Sequence, residues 1–95
     1  MWYFYMIECV GWCHWNLGQK VVYTGETRRD PEIRFDEHVK GVHSQWMRFN
    51  GWRPRRLLYV ECMPDCDSKE LALAREQQLK RDTRFKRELR ARMAE

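Results

Sequence analysis

Apolar positions along the chain fall into short blocks whose period changes. Residues 2–9 are aromatic or large and apolar with almost no polar alternation, the pattern of a strand covered on both faces. A second such run spans residues 20–25. Between them Gly11 and Asn16-Leu17-Gly18 punctuate a turn, so the two runs predict a hairpin with a long loop carrying Trp12, Cys13, His14 and Trp15. The period then becomes helical. Asp30-Pro31-Glu32 offers an N-cap, a proline at the first helical position and a first-turn acid, and Gly41 a stop, which predicts a helix over residues 31–40. Residues 44–50 predict one helical turn closed by Gly51. Beyond Pro54, Leu57-Leu58-Tyr59-Val60 predicts a short third strand. Asp67 and Glu70 have capping-box spacing at the head of a helix over residues 68–80. A last helix, starting near Asp82-Thr83, carries Phe85, Leu89 and Met93 at four-residue steps among basic residues. The order strand, strand, helix, strand, helix, helix predicts an α+β fold: a three-stranded antiparallel sheet flanked by helices.

With 95 residues the chain has room for one hydrophobic core, so a single domain over residues 1–95 is expected. Its 43% apolar and 34% charged residues are those of a globular domain and exclude a disordered tail. The opening apolar run stops at Glu8, far short of the roughly 20 residues of a membrane span. No secretory or lipidation signal is visible in the sequence. The four cysteines are therefore expected to be free thiols in a reducing compartment, cytoplasmic or beside the nucleoid. The net charge of +4 favours a polyanionic partner. Arg28, Arg29, Lys40, Arg48 and Arg53, with Arg55 and Arg56 behind them, flank the first helix and suit contact with a DNA backbone. Trp46, Phe49 and Trp52 among them have the composition of a surface that stacks unpaired bases, although tryptophans covering the core account for them as well.

Several positions could carry chemistry. Arg34 and His38 lie one turn apart beside a stripe of Phe35 and Val39; two cationic-capable groups gain nothing from each other, whereas a shared anion satisfies both. A solvated i,i+4 pair is the plain alternative. Glu76 falls on a helical wheel inside the arc of Leu71, Ala72, Leu73 and Leu79, where a carboxylate is costly unless it is paired with a cation such as arginine or binds a metal. Tyr5 and Tyr23 lie on adjacent strands. On one face their hydroxyls would converge on one water; otherwise they are core aromatics with hydroxyls at the edge.

Tyr3-Phe4-Tyr5, Tyr23-Thr24-Gly25, Arg34-x-x-x-His38 and Glu76 within Ala72–Lys80, taken in this order, resemble the GIY-YIG nuclease family, in layout its small stand-alone members, over most of the chain. The segment between Tyr5 and Tyr23 is longer than usual, and Gly25 to Arg34 holds one extra residue. The resemblance implies a metal-dependent endonuclease that hydrolyses DNA phosphodiesters with little sequence specificity, with single-stranded or branched DNA as candidate substrates. It implies that Tyr5 activates water with Tyr23 assisting, that Arg34 neutralises phosphate charge, that His38 orients water or phosphate, and that Glu76 holds one Mg²⁺ or Mn²⁺. No small-molecule cofactor is expected. Two rival readings remain: a catalytically silent nucleic-acid-binding domain, and a zinc-stabilised module on Cys9-x-x-x-Cys13 and Cys62-x-x-x-Cys66.

Overall fold

In the computed structural model, which describes residues 1–41 and 45–95, the first apolar run becomes the middle strand of an antiparallel sheet. This strand, β1 (Trp2–Gly11), pairs on one side with β2 (Lys20–Thr27) and on the other with β3 (Trp52–Met63), giving the order β2-β1-β3. Both edges of β1 are hydrogen-bonded and both faces are covered, which is why its sequence shows no polar alternation. On one face Tyr5, Ile7 and Cys9 pack with Met47 beneath α1 (Pro31–Val39) and α2 (Gln45–Phe49). On the other, Phe4 and Met6 pack with Leu58 and Leu79 beneath α3 (Lys69–Arg81) and α4 (Thr83–Met93). This is the expected α+β architecture.

The third strand differs from expectation: it runs for 12 residues and includes Pro54. As an edge strand it tolerates a proline, and Pro54 stands opposite Cys9, where the register slips by one residue. The short helix over residues 44–50 is α2, whose expected first residue, Ser44, lies outside the described residues; Gly51 ends it with φ +77°. At the head of α3 the cap is Ser68 rather than Asp67: the Ser68 hydroxyl accepts from Leu71 N at 3.3 Å. Phe85, Leu89 and Met93 of α4 face the core as their spacing predicts.

Glu8, where the opening apolar run ends, is 0% exposed. Its carboxylate meets Arg56 at 2.9 Å, Arg55 at 3.7 Å and Lys20 at 3.8 Å. Lys20 Nζ also donates to Met93 O at 2.8 Å, and Arg56 donates to Arg92 O. Two cations held by one buried carboxylate thus cap the negative end of α4. Arg55 and Arg56, expected behind the DNA-facing basic residues, thus both lie against Glu8. Glu8→Ala is expected to lower the unfolding free energy by about 1–2 kcal/mol, chiefly through the lost charge-assisted hydrogen bond to Arg56, because the three cations are 35–47% exposed and regain water. A urea titration beside wild type measures it.

Candidate active site

α1 carries two of the expected residues. Asp30 Oδ1 accepts from Glu32 N at 2.8 Å and Pro31 opens the helix, so the phase of the following turns is fixed from its first residue. That phase turns His38 inward, where it is buried with Nε2 3.1 Å from Tyr5 Oη. The Tyr23 ring meets His38 edge-on at 5.3 Å. Phe35 joins this cluster, but Val39, expected in the same stripe, is exposed. Arg34 lies half-buried one turn before His38, with Glu37 at 3.8 Å.

The register of the hairpin explains why the two tyrosines share a face. Tyr5 stands opposite Gly25 and Ile7 opposite Tyr23, so Tyr5 and Tyr23 are diagonal neighbours. Gly25 is indispensable to this geometry, since a Cβ there would lie 2.4 Å from Tyr5 Oη and 2.5 Å from its Cζ. The Tyr5 ring crosses β2 through that gap. Burial raises the Tyr5 pKa above its ordinary value; the Arg34 guanidinium pulls it back, and the charges of Tyr23 and Glu26 push it up again. Gly25→Ala should fold but displace the Tyr5 ring and disturb its hydrogen bond to His38, at a cost of about 1–3 kcal/mol. A denaturant titration beside a far-UV spectrum checks it, and an unchanged stability in the Gly25→Ala variant would refute the role given to this gap.

Glu76 reaches the same strand from the other face. Its helix buries a line of Ala72, Glu76 and Leu79, while Leu71 and Leu73, expected beside Glu76, are exposed. Thr24 Oγ1 donates to Glu76 Oε1, and Lys80 Nζ lies 2.7 Å away on the next turn. Burial works against the Glu76 charge, but hydrogen bonds from Glu26, Lys80 and Thr24 outweigh it and carry the pKa down to about 2. Glu26 bears the converse: burial, then the hydrogen bond and charge of Glu76, raise it to about 7. The two carboxyls thus titrate as a coupled pair, Glu26 pushed up and Glu76 held down. Tyr5, Tyr23, Arg34 and His38 are gathered on one face of β2 and Glu76 on the other. Glu26 lies on the Glu76 side of β2, and its charge also raises the Tyr5 pKa slightly.

The GIY-YIG catalytic domain matches residues 1–89. The chain belongs to the GIY-YIG family. It is also 34% identical over 86 residues, 90% of this chain and 81% of the relative, to a UPF0213 protein of Haloquadratum walsbyi. No solved structure gives a significant match. A GIY-YIG domain is a nuclease-type domain acting on nucleic acid, and its members typically use divalent metal ions. Two carboxyls and a hydroxyl around Glu76 are hard oxygen donors of the kind such an ion takes, and Lys80, now on Glu76 Oε1, would have to give way to it. Among the described residues no group of three or more His, Cys, Asp or Glu forms a protein cage, and magnesium is ordinarily held by one or two carboxylates with substrate phosphate completing the shell.

Three residues around this candidate site were given no role of their own from sequence. Lys80 had a readable signal, four residues after Glu76 on one helix. Thr24 and Glu26 had only strand alternation, which turns them away from Tyr23. The basic residues proposed for DNA are dispersed by the fold: Arg28 lies 5.3 Å over the Trp2 ring, Arg29 pairs with Glu37 at 3.1 Å, and Lys40, Arg48 and Arg53 line one cavity beside His38. The zinc reading is overturned by register. Cys62 stands opposite Tyr3 and Cys9 opposite Pro54, so six residues of strand, roughly 20 Å at ~3.3 Å each, separate the two pairs. All four cysteines are free thiols, and Cys9 is buried, its pKa pushed up to about 12 by that burial and by Glu8. Among the described residues no helix is long and apolar enough to cross a membrane.

Proposed function

We propose that this GIY-YIG chain is a metal-dependent DNA endonuclease, a single domain over residues 1–95 acting in the cytoplasm or at the nucleoid. It hydrolyses phosphodiesters with little base-sequence specificity, at a site formed by Tyr5, Tyr23, Arg34, His38 and Glu76. The observation that carries this reading is the placement of the Tyr5 hydroxyl, lodged over Gly25, 3.1 Å from His38 and under the influence of Arg34. A tyrosine packed merely as a core aromatic needs no glycine beneath its hydroxyl and no paired imidazole.

β2 is an edge strand, so a phosphodiester lying along its free edge can meet Tyr5 and Arg34 on one side and Glu76 on the other. Tyr5 takes the proton of the attacking water, and His38 holds the hydroxyl in position and offers a second proton acceptor. Tyr23 packs against His38 and confines the water. Arg34 neutralises charge growing on the phosphate oxygens. Glu76, with Glu26 and Thr24 beside it, would hold one Mg²⁺ or Mn²⁺, which when bound supplies a Lewis acid to the phosphate and the leaving oxygen.

The decisive experiment incubates the protein with single-stranded, duplex and branched DNA in Mg²⁺, Mn²⁺ or EDTA. Cleavage with either metal and none in EDTA is expected. Binding without cleavage in every arm would leave a silent nucleic-acid-binding domain. Arg28, Arg29, Lys40, Arg48 and Arg53 are assigned to the DNA backbone, contacts that position a protein without reading sequence. With about four of them engaged, affinity should fall roughly hundredfold between 50 and 200 mM salt. A flat response in a filter-binding titration would remove DNA as the ligand.

A further inference from the structure

Beside His38 the fold leaves an open cavity of about 350 Å³, at the lower end of the range for ligand sites. Its walls come from the end of α1, from α2, from the start of β3 and from the long loop of the hairpin. Trp12 and Trp52 supply aromatic surface, Lys40, Arg48 and Arg53 supply charge, and no acidic side chain lines it among the described residues. The Arg53 guanidinium lies 5.2 Å over the Trp12 ring. A row of rings leads here from Tyr23, which packs on His38: Tyr23 to Trp46 at 5.9 Å, then Trp46 to Trp52 at 6.3 Å with planes only 4° apart.

Trp46 is 45% exposed and Trp12 44%, so much apolar ring surface stays in water around a cationic cavity. The arrangement is also rigidly braced. Asn16, buried in the hairpin loop, accepts from Cys13 N at 3.0 Å and donates to Asn50 O at 3.2 Å and Gly51 O at 3.1 Å. Trp12 N donates to Gly51 O at 3.0 Å. The aromatic loop is thereby fastened to the turn between α2 and β3, and Trp12 is held facing the segment that bears Trp46 and Trp52.

We propose that this cavity and the ring row leading to it bind unpaired bases of a single-stranded DNA segment flanking the scissile phosphate, with Lys40, Arg48 and Arg53 on its backbone. The proposal rests on the nuclease reading for the position of that phosphate. Exposed rings stack on any base face, which suits an enzyme that reads no sequence. A base within a duplex presents no free face and would first have to be extruded at a cost of a few kcal/mol. Single-stranded DNA meets no such penalty, so the surface selects for structure.

Binding measured in EDTA, by quenching of tryptophan fluorescence, separates this proposal from cleavage. The probes are a twelve-residue oligothymidylate, a twelve-residue abasic strand of equal charge, and a hairpin duplex. Oligothymidylate should bind at least about tenfold more tightly than the abasic strand at equal salt, with the duplex weaker than oligothymidylate. Trp46→Ala and Trp12→Ala should each weaken oligothymidylate binding by roughly 5- to 100-fold while leaving the abasic strand unchanged. Anisotropy of end-labelled DNA reads these variants, and a thermal melt confirms that they fold. Equal affinity for oligothymidylate and the abasic strand, a duplex bound as tightly as oligothymidylate, or variants that weaken both strands equally would overturn the proposal. Base-dependent binding without cleavage in Mg²⁺ would instead count against the nuclease reading alone.

Discussion

Glu76→Gln is expected to fold, to bind DNA and to lose metal-dependent cleavage by about a thousandfold. Its surroundings make the separation of folding from activity clean. The amide keeps the volume and can still accept from Thr24, whose hydroxyl is the donor in the wild type. The charge it abandons belongs to Lys80, whose side chain is 49% exposed and regains water, so the loss of that pair costs less than about 1 kcal/mol. Removing the Glu76 charge also relieves Glu26, whose pKa burial and its neighbour push up to about 7. A melting temperature within a few degrees of wild type is therefore expected. If Glu76 were merely a structural partner, the variant would cut DNA at the normal rate, and that single result rules out its metal role. Calorimetric titration with Mn²⁺ gives an independent readout, since the variant should lose the ion before any substrate is added.

How far the site can be read from sequence depends on what each residue's role leaves in the local pattern. Tyr5 and Tyr23 are legible because strand alternation and hairpin register follow from the apolar runs, which the structure keeps. Arg34 and His38 are legible from helical spacing and a well-marked cap. Glu76 stands out as a carboxylate on an apolar arc. The arc itself differs from expectation: a helical wheel assigns a face by composition, whereas α3 turns its small Ala72 to the sheet and leaves Leu71 and Leu73 in water. Nothing local marks Glu26 as the partner of Glu76, because its significance arises only when α3 docks. Glu8 is hidden for the same reason. Its three cations come from both edge strands, up to 48 residues away. Asn16, a turn former by sequence, becomes the brace of the aromatic loop through partners more than 30 residues distant.

Tyr5→Phe should retain the fold and lower cleavage by about a thousandfold, within the range of a removed general base. The phenyl ring keeps the packing against Ile7 and the passage over Gly25, so the loss of one hydrogen bond to His38 should cost only about 1 kcal/mol of stability. The pH profile then distinguishes which group takes the proton. A base acts in its deprotonated form, and the Tyr5 pKa is raised above 10.0, chiefly by burial, so only a minute fraction is ionised at neutrality. The wild-type rate should therefore climb about tenfold per pH unit through the neutral range, without levelling until the alkaline limb. A histidine base would give the opposite signature, a plateau above roughly pH 6.5. Arg34 pulls the Tyr5 pKa down, so Arg34→Gln should move any alkaline plateau higher as well as lowering the rate. A profile that levels near neutrality and survives in Tyr5→Phe would transfer the base to His38, leaving Tyr5 to position it.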